Sequence, residues 1–100
     1  MTPEKIVQNA IIAKLKDLSK SVPIYVERRN AGGFSYKKGI PDLYAVINGI
    51  HLEIEVKQPG GSLSPIQEKF RDRCKALNIA WVCLDSADNV SSIVEGLLKR

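Results

Sequence analysis

Long apolar runs are missing from this chain of 100 residues. The longest, Ile79-Ala80-Trp81-Val82-Cys83-Leu84, falls far short of the roughly 20 residues needed to cross a bilayer. Cysteine is nearly missing too. Cys74 and Cys83 are too few and too far apart for a zinc knuckle or a disulfide framework, and they read as small core hydrophobes. Met1-Thr2-Pro3-Glu4-Lys5 lacks the charged segment and following apolar stretch of a secretory signal. Repeats, low-complexity tracts and linkers are also missing. With 44% apolar and 26% charged residues, neither a disordered nor a collagen-like chain is indicated. The expectation is a single domain spanning residues 1–100, cytoplasmic and without a membrane segment. Fifteen Lys and Arg against eleven Asp and Glu give a net charge of +4, a mild lean toward a polyanionic partner.

Thr2-Pro3 reads as an N-cap followed by proline in the first turn of a helix. Val7, Ile11, Leu15 and Leu18 then fall on one face, which predicts a helix over Pro3 to Ser19. Val22 to Arg28 is β-branched and aromatic enough for a strand. Asn30 to Gly39 is glycine-rich and predicts a flexible loop, with Ala31-Gly32-Gly33 suited to ordering only when substrate arrives. Two strands follow, Asp42–Asn48 and Ile50–Lys57, with Asn48-Gly49 between them as a strong hairpin turn. Ser64-Pro65-Ile66-Gln67 is a capping-box pattern. It predicts a helix to about Leu77, with Ile66, Phe70, Cys74 and Leu77 inward. Ile79–Leu84 reads as a wholly buried strand, and Asp88 to Leu98 as a closing helix with Val90, Ile93, Val94 and Leu97 inward. The order is α-β-β-β-α-β-α, an α/β fold with a mixed central sheet flanked by helices.

The hairpin carries the chemistry. With Asn48 and Gly49 at the centre of the turn, Ile47 faces Ile50, Ala45 faces Leu52 and Leu43 faces Ile54. That face is entirely apolar. The opposite face pairs Val46 with His51, Tyr44 with Glu53 and Asp42 with Glu55, and Lys57 points the same way. Opposed carboxylates repel unless something neutralises them. A hard divalent cation does so, commonly held by one or two carboxylates together with water and phosphate. A lysine beside it can hold a water or stabilise charge on a phosphate. The pattern alone leaves a second reading open, in which this is merely the solvated face of an amphipathic hairpin.

Gly39-Ile40-Pro41-Asp42, then Glu55-Val56-Lys57, resembles the PD-(D/E)xK nuclease motif. The continuation through Gly61-Ser62-Leu63-Ser64-Pro65-Ile66-Gln67 resembles the virus-type replication-repair nuclease (VRR-NUC) family in particular. The resemblance runs from Glu4 to the Ile79–Leu84 strand. It implies a restriction-endonuclease-like core and a Mg²⁺- or Mn²⁺-dependent DNA endonuclease leaving 5′-phosphate and 3′-hydroxyl ends. Asp42 and Glu55 would be metal ligands, with the Val56 backbone carbonyl a third, and Lys57 would position or activate the attacking water. Gln67 matches the family's glutamine and would help order the site, while also completing the capping box with Ser64. Glu4 matches an acidic residue of the first helix that approaches the metal, although a carboxylate there also offsets the helix dipole. Gln8, one turn later, is a weaker candidate.

Arg28, Arg29, Lys37 and Lys38 flank the loop entering the site and are candidates for DNA phosphates, with Phe34 and Tyr36 available to stack on bases. Lys69, Arg71, Arg73 and Lys75 stud the second helix, where solvation explains about half of them. Glu53 is expected to be solvated or to support the carboxylates. His51, the lone histidine, reads as a surface residue, and Tyr44 either packs over the polar face or touches substrate. Stand-alone members of such a family resemble homodimeric junction-resolving enzymes, which makes a four-way (Holliday) junction the expected substrate. The rivals are a flap-directed or structure-tolerant monomeric nuclease, a DNA-binding module without activity, and a subunit of a larger complex.

Overall fold

A computed structural model of the chain describes residues 1–29 and 39–100. The loop expectation for Asn30 to Lys38, with Phe34, Tyr36, Lys37 and Lys38, lies outside the described residues. Helix α1 (Pro3–Leu18) starts where the Thr2 hydroxyl accepts a hydrogen bond from the Lys5 N–H. Its buried stripe of Val7, Ile11 and Leu15 is the one the spacing predicts.

Strands β1 (Ile24–Arg28), β2 (Leu43–Ile47) and β3 (Ile50–Val56) form an antiparallel meander, and β4 (Ala80–Leu84) adds in parallel beside β3. Parallel pairing needs a crossover, which α2 (Pro65–Ala76) supplies. Helix α3 (Val90–Leu98) closes the chain. The result is a mixed four-stranded sheet with flanking helices.

The β2–β3 register is the one read from the turn: Leu43 pairs with Ile54, Tyr44 with Glu53, Ala45 with Leu52, Val46 with His51 and Ile47 with Ile50. Asn48 and Gly49 both take positive φ, 49° and 83°, the left-handed pair that a tight hairpin requires. The apolar hairpin face joins Ile11 and Leu15 of α1 and Val90, Val94 and Leu97 of α3 in one core. Among the described residues, no helix is long and apolar enough to cross a membrane.

Several expectations needed correction. Strand β1 begins at Ile24, because Val22 still closes the turn after α1 through a bond from its N–H to the Leu18 carbonyl. In α2 only Cys74 is buried; Ile66 and Leu77 are exposed, at 47% and 61%. The helix covers the polar side of the sheet, so it needs no wide apolar stripe. Strand β4 is not wholly buried either. It lies at the sheet edge, with Val82 half-buried and Cys83 exposed.

Gly39, at φ +86°, leads into the Pro41-Asp42 turn, and a Cβ there would meet the Ile66 backbone oxygen at 2.9 Å. Backbone strain and steric overlap act together at that position. Gly39→Ala is therefore expected to cost about 2 kcal/mol, read as a lower urea midpoint with an unchanged slope.

Candidate metal-dependent active site

Glu55 is one of two buried carboxylates of the sheet. Strand β3 buries it to 6% exposure at the end of the hairpin farthest from the turn. Burial pushes its carboxyl up to about 7 against the favourable charge of Lys57, and the negative charges of Asp42 and Glu4 add to the rise. Three carboxylates from α1, β3 and the turn before β2 thus act on one another. Such a grouping lowers its free energy by taking up protons or a cation.

Glu4 and Asp42 line one cleft of about 380 Å³, together with Thr2, Lys5, Gln8 and Gln58. The first-turn position of Glu4 on α1 brings it to the end of the sheet where β2 starts. Gln8, one helical turn on, is 4% exposed, and its side-chain oxygen has no hydrogen-bond partner among the described residues. A buried amide oxygen without a donor is costly, and a cation or its water shell would satisfy it.

Lys57 lies half-buried just past β3, where its backbone N–H donates to the Leu84 carbonyl. Its Nζ donates to Gln67 Oε1 at 2.7 Å. The same oxygen accepts the Ser64 N–H at 2.9 Å, and the Gln67 N–H donates to Ser64 Oγ at 3.4 Å. Both halves of the capping box are therefore present, and the helix start doubles as the support that orients the lysine.

The residues fit a hard cation. Among the described residues no cluster of three His, Cys, Asp or Glu side chains forms a ready-made metal cage. Mg²⁺ does not need one, since it keeps several waters and takes one or two carboxylates plus substrate phosphate. Asp42, Glu55 and the orphaned Gln8 oxygen have the oxygen chemistry such an ion selects.

The neighbouring polar face is tied down. Glu53, expected to be solvated or supporting, is 5% exposed. It accepts two bonds from Arg29, Nη1 to Oε1 at 2.6 Å and Nη2 to Oε2 at 2.7 Å. Its Oε2 also lies 2.5 Å from His51 Nε2. Burial would raise the Glu53 carboxyl, but the hydrogen bonds from Arg29 and His51 outweigh it and hold it below its ordinary value. Tyr44 packs over this face, with the Arg29 guanidinium 4.7 Å from its ring centre and His51 stacked on it at 5.1 Å. His51 is exposed, as expected of a surface histidine. Arg28 is also exposed, and its Nη2 donates to Asn9 Oδ1 at 2.8 Å.

Two comparisons with known proteins bear on this arrangement, and no family model matches the chain. The sequence is 39% identical over 75 residues to "Putative nuclease p44" of Acyrthosiphon pisum secondary endosymbiont phage 1, covering 68% of this chain and 80% of that protein. A solved structure described as a VRR_NUC domain superposes with a TM-score of 0.74 at 21% identity, covering 95% of this chain and 97% of that one. The chain belongs to one family with that putative phage nuclease, and it has the fold of the VRR_NUC domain.

Within this chain, sequence reasoning missed two features. Cys83, expected in the core, is exposed; it pairs with Glu55 across the parallel β3–β4 ladder and so shares its face. Partial burial and then the Glu55 charge push its thiol up. The edge position of β4 explains the difference, and it could not be read without knowing the strand order. The second is the depth at which Glu53 and Arg29 are held. A cation after one strand and a carboxylate inside another gave the only hint, and their pairing depends on the β1–β2 register.

Proposed function

We propose that this protein is a VRR-NUC enzyme, a Mg²⁺- or Mn²⁺-dependent DNA endonuclease that acts as a homodimer on four-way junctions. The observation that carries the reading is Glu55, buried beside the charges of Asp42 and Glu4 with Lys57 close by. Membership of a family with a phage nuclease agrees with it. Asp42, Glu55 and the Val56 carbonyl would hold the cation, with Glu4 beside them. When bound, the cation neutralises charge on the scissile phosphate and its leaving 3′-oxygen. Lys57, oriented by Gln67, positions the attacking water and stabilises charge developing on the phosphate. Gln67 keeps the ammonium aimed while anchoring the start of α2. Lys37, Lys38, Phe34 and Tyr36, between β1 and β2 in the sequence, would supply phosphate and base contacts, and Arg28 offers an exposed cation at the end of β1. A chain of this size has little surface with which to recognise a branch by itself, and two-fold pairing would set two sites on opposed strands.

The test is cleavage of end-labelled four-way junction, flap, splayed-arm and duplex DNA with Mg²⁺, Mn²⁺ or EDTA, beside light scattering for mass. Paired, symmetric, metal-dependent cuts by a dimer are expected. Preferential flap cutting by a monomer would keep the nuclease and overturn the junction assignment. Binding without cleavage in either metal would leave a DNA-binding module.

A further inference from the structure

We infer that Arg29 is a positioning residue for the cation site, a clasp that sets Asp42 relative to Glu55, with Glu53 as its anchor. The inference rests on the metal-dependent reading above. Arg29 follows β1 directly, and Pro41-Asp42 precede β2. The Arg29 backbone N–H donates to the Asp42 carbonyl at 2.7 Å, and its Nη1 donates to the Pro41 carbonyl at 2.7 Å. One residue therefore holds the peptide units on both sides of Asp42. The same Nη1, together with Nη2, forks onto Glu53, two residues before Glu55 on β3. The clasp spans all three strands of the meander, from the end of β1 across the start of β2 to β3.

The chemistry suits this role better than contact with a phosphate. Arg29 is 22% exposed at its side chain and Glu53 only 6%. Turning the guanidinium outward would leave a buried carboxylate without its cation. The planar fork matches two carboxylate oxygens and a carbonyl at once, which a lysine ammonium cannot reproduce. The guanidinium lies over the Tyr44 ring, on which His51 stacks in turn. Apolar side chains would fill the same space without loss of fold. A bond to the Pro41 carbonyl serves the backbone that carries Asp42.

The test compares the full chain with Arg29→Lys and with the double variant Arg29→Met/Glu53→Met, which removes both buried charges together. Mn²⁺ binding is measured by the paramagnetic resonance of the free ion, melting by circular dichroism, and DNA affinity in EDTA at several salt concentrations. Cleavage is measured as a function of Mg²⁺. The double variant should melt close to wild type, yet bind Mn²⁺ about tenfold or more weakly. Its half-saturating Mg²⁺ should rise in step, with DNA affinity in EDTA essentially unchanged. Arg29→Lys, which keeps the charge but loses the fork, should weaken Mn²⁺ binding in the same direction. Unchanged Mn²⁺ binding with lower melting would mean a purely structural pair and overturn the inference. Weaker DNA binding with a shallower salt dependence and intact Mn²⁺ binding would make Arg29 a phosphate contact and also overturn it. In both cases wild type would still bind Mn²⁺ and cut, leaving the proposed function standing. A wild type that neither binds Mn²⁺ nor cuts overturns both.

Discussion

Lys57→Ala is expected to lower DNA cleavage by about 10²–10⁴-fold, the range for removing a positioned acid–base group, with melting temperature and DNA binding near wild type. The lysine is only half-buried and does not belong to the hydrophobic core cluster of the described residues. What is lost is a donor held 2.7 Å from Gln67 and close enough to Glu55 for its charge to act there. Gln67→Ala separates orientation from chemistry. It removes half of the capping box and should cost about 1 kcal/mol, while lowering cleavage much less than the lysine variant does. Single-turnover cleavage at saturating metal, set beside thermal melts of both variants, checks the ordering. Equal activity of Lys57→Ala and wild type would remove the lysine from the reaction.

The second large effect is a pH dependence that runs against the usual direction for carboxylates. Glu55 has its carboxyl raised from 4.5 to about 7. Between those values the folded chain holds a proton that the unfolded chain has released, so stability falls as the pH rises through this window. The loss is on the order of 3 kcal/mol, from 1.36 kcal/mol per pH unit. Glu53, held below its ordinary value, works in the opposite sense, but its stabilisation is lost only in more acid solution. Thermal melts in EDTA should therefore show a fall in stability between about pH 5 and pH 7.5. Mg²⁺ or Mn²⁺ at pH 8 should restore it, because the cation takes the place of the proton and binds only the folded chain. Glu55→Gln should flatten the profile, melt higher than wild type at pH 8 in EDTA, and lose the response to metal. A wild-type profile that rises steadily from pH 5 to pH 8 in EDTA would contradict the assigned environment of Glu55.

Much of the site was legible because it is built from neighbours in sequence. A two-residue Asn-Gly turn specifies its own register, and side chains alternate with a period of two, so the turn and the apolar face fix which residues share the polar face. The Ser64–Gln67 cap was equally local. What stayed hidden depended on which strands lie at the edge and what covers each face. Cys83 looks like core in an apolar run, yet it sits on an edge strand. Ile66 and Leu77 have helical spacing, yet their helix lies over a polar surface. Glu53 has the composition of a solvated position, and only a guanidinium arriving from β1 makes its burial tolerable. In each case a long-range partner decides the outcome, and a single sequence carries no record of it.

The strand order also implies a sequence of assembly. The β2–β3 hairpin closes through the tight Asn48-Gly49 turn, so its loop-closure entropy is small and its pairing can form early. Asp42 and Glu55, at the open end of that hairpin, are consequently brought within reach of each other's charge before β4 docks. Lys57 acquires its Gln67 partner only when the α2 crossover settles onto the sheet. The nascent hairpin thus carries the carboxylates and Lys57 together, and the amide that orients the lysine arrives last. Folding and completion of the reactive centre are then the same late event, and a chain that stalls after forming the hairpin is structured but chemically silent.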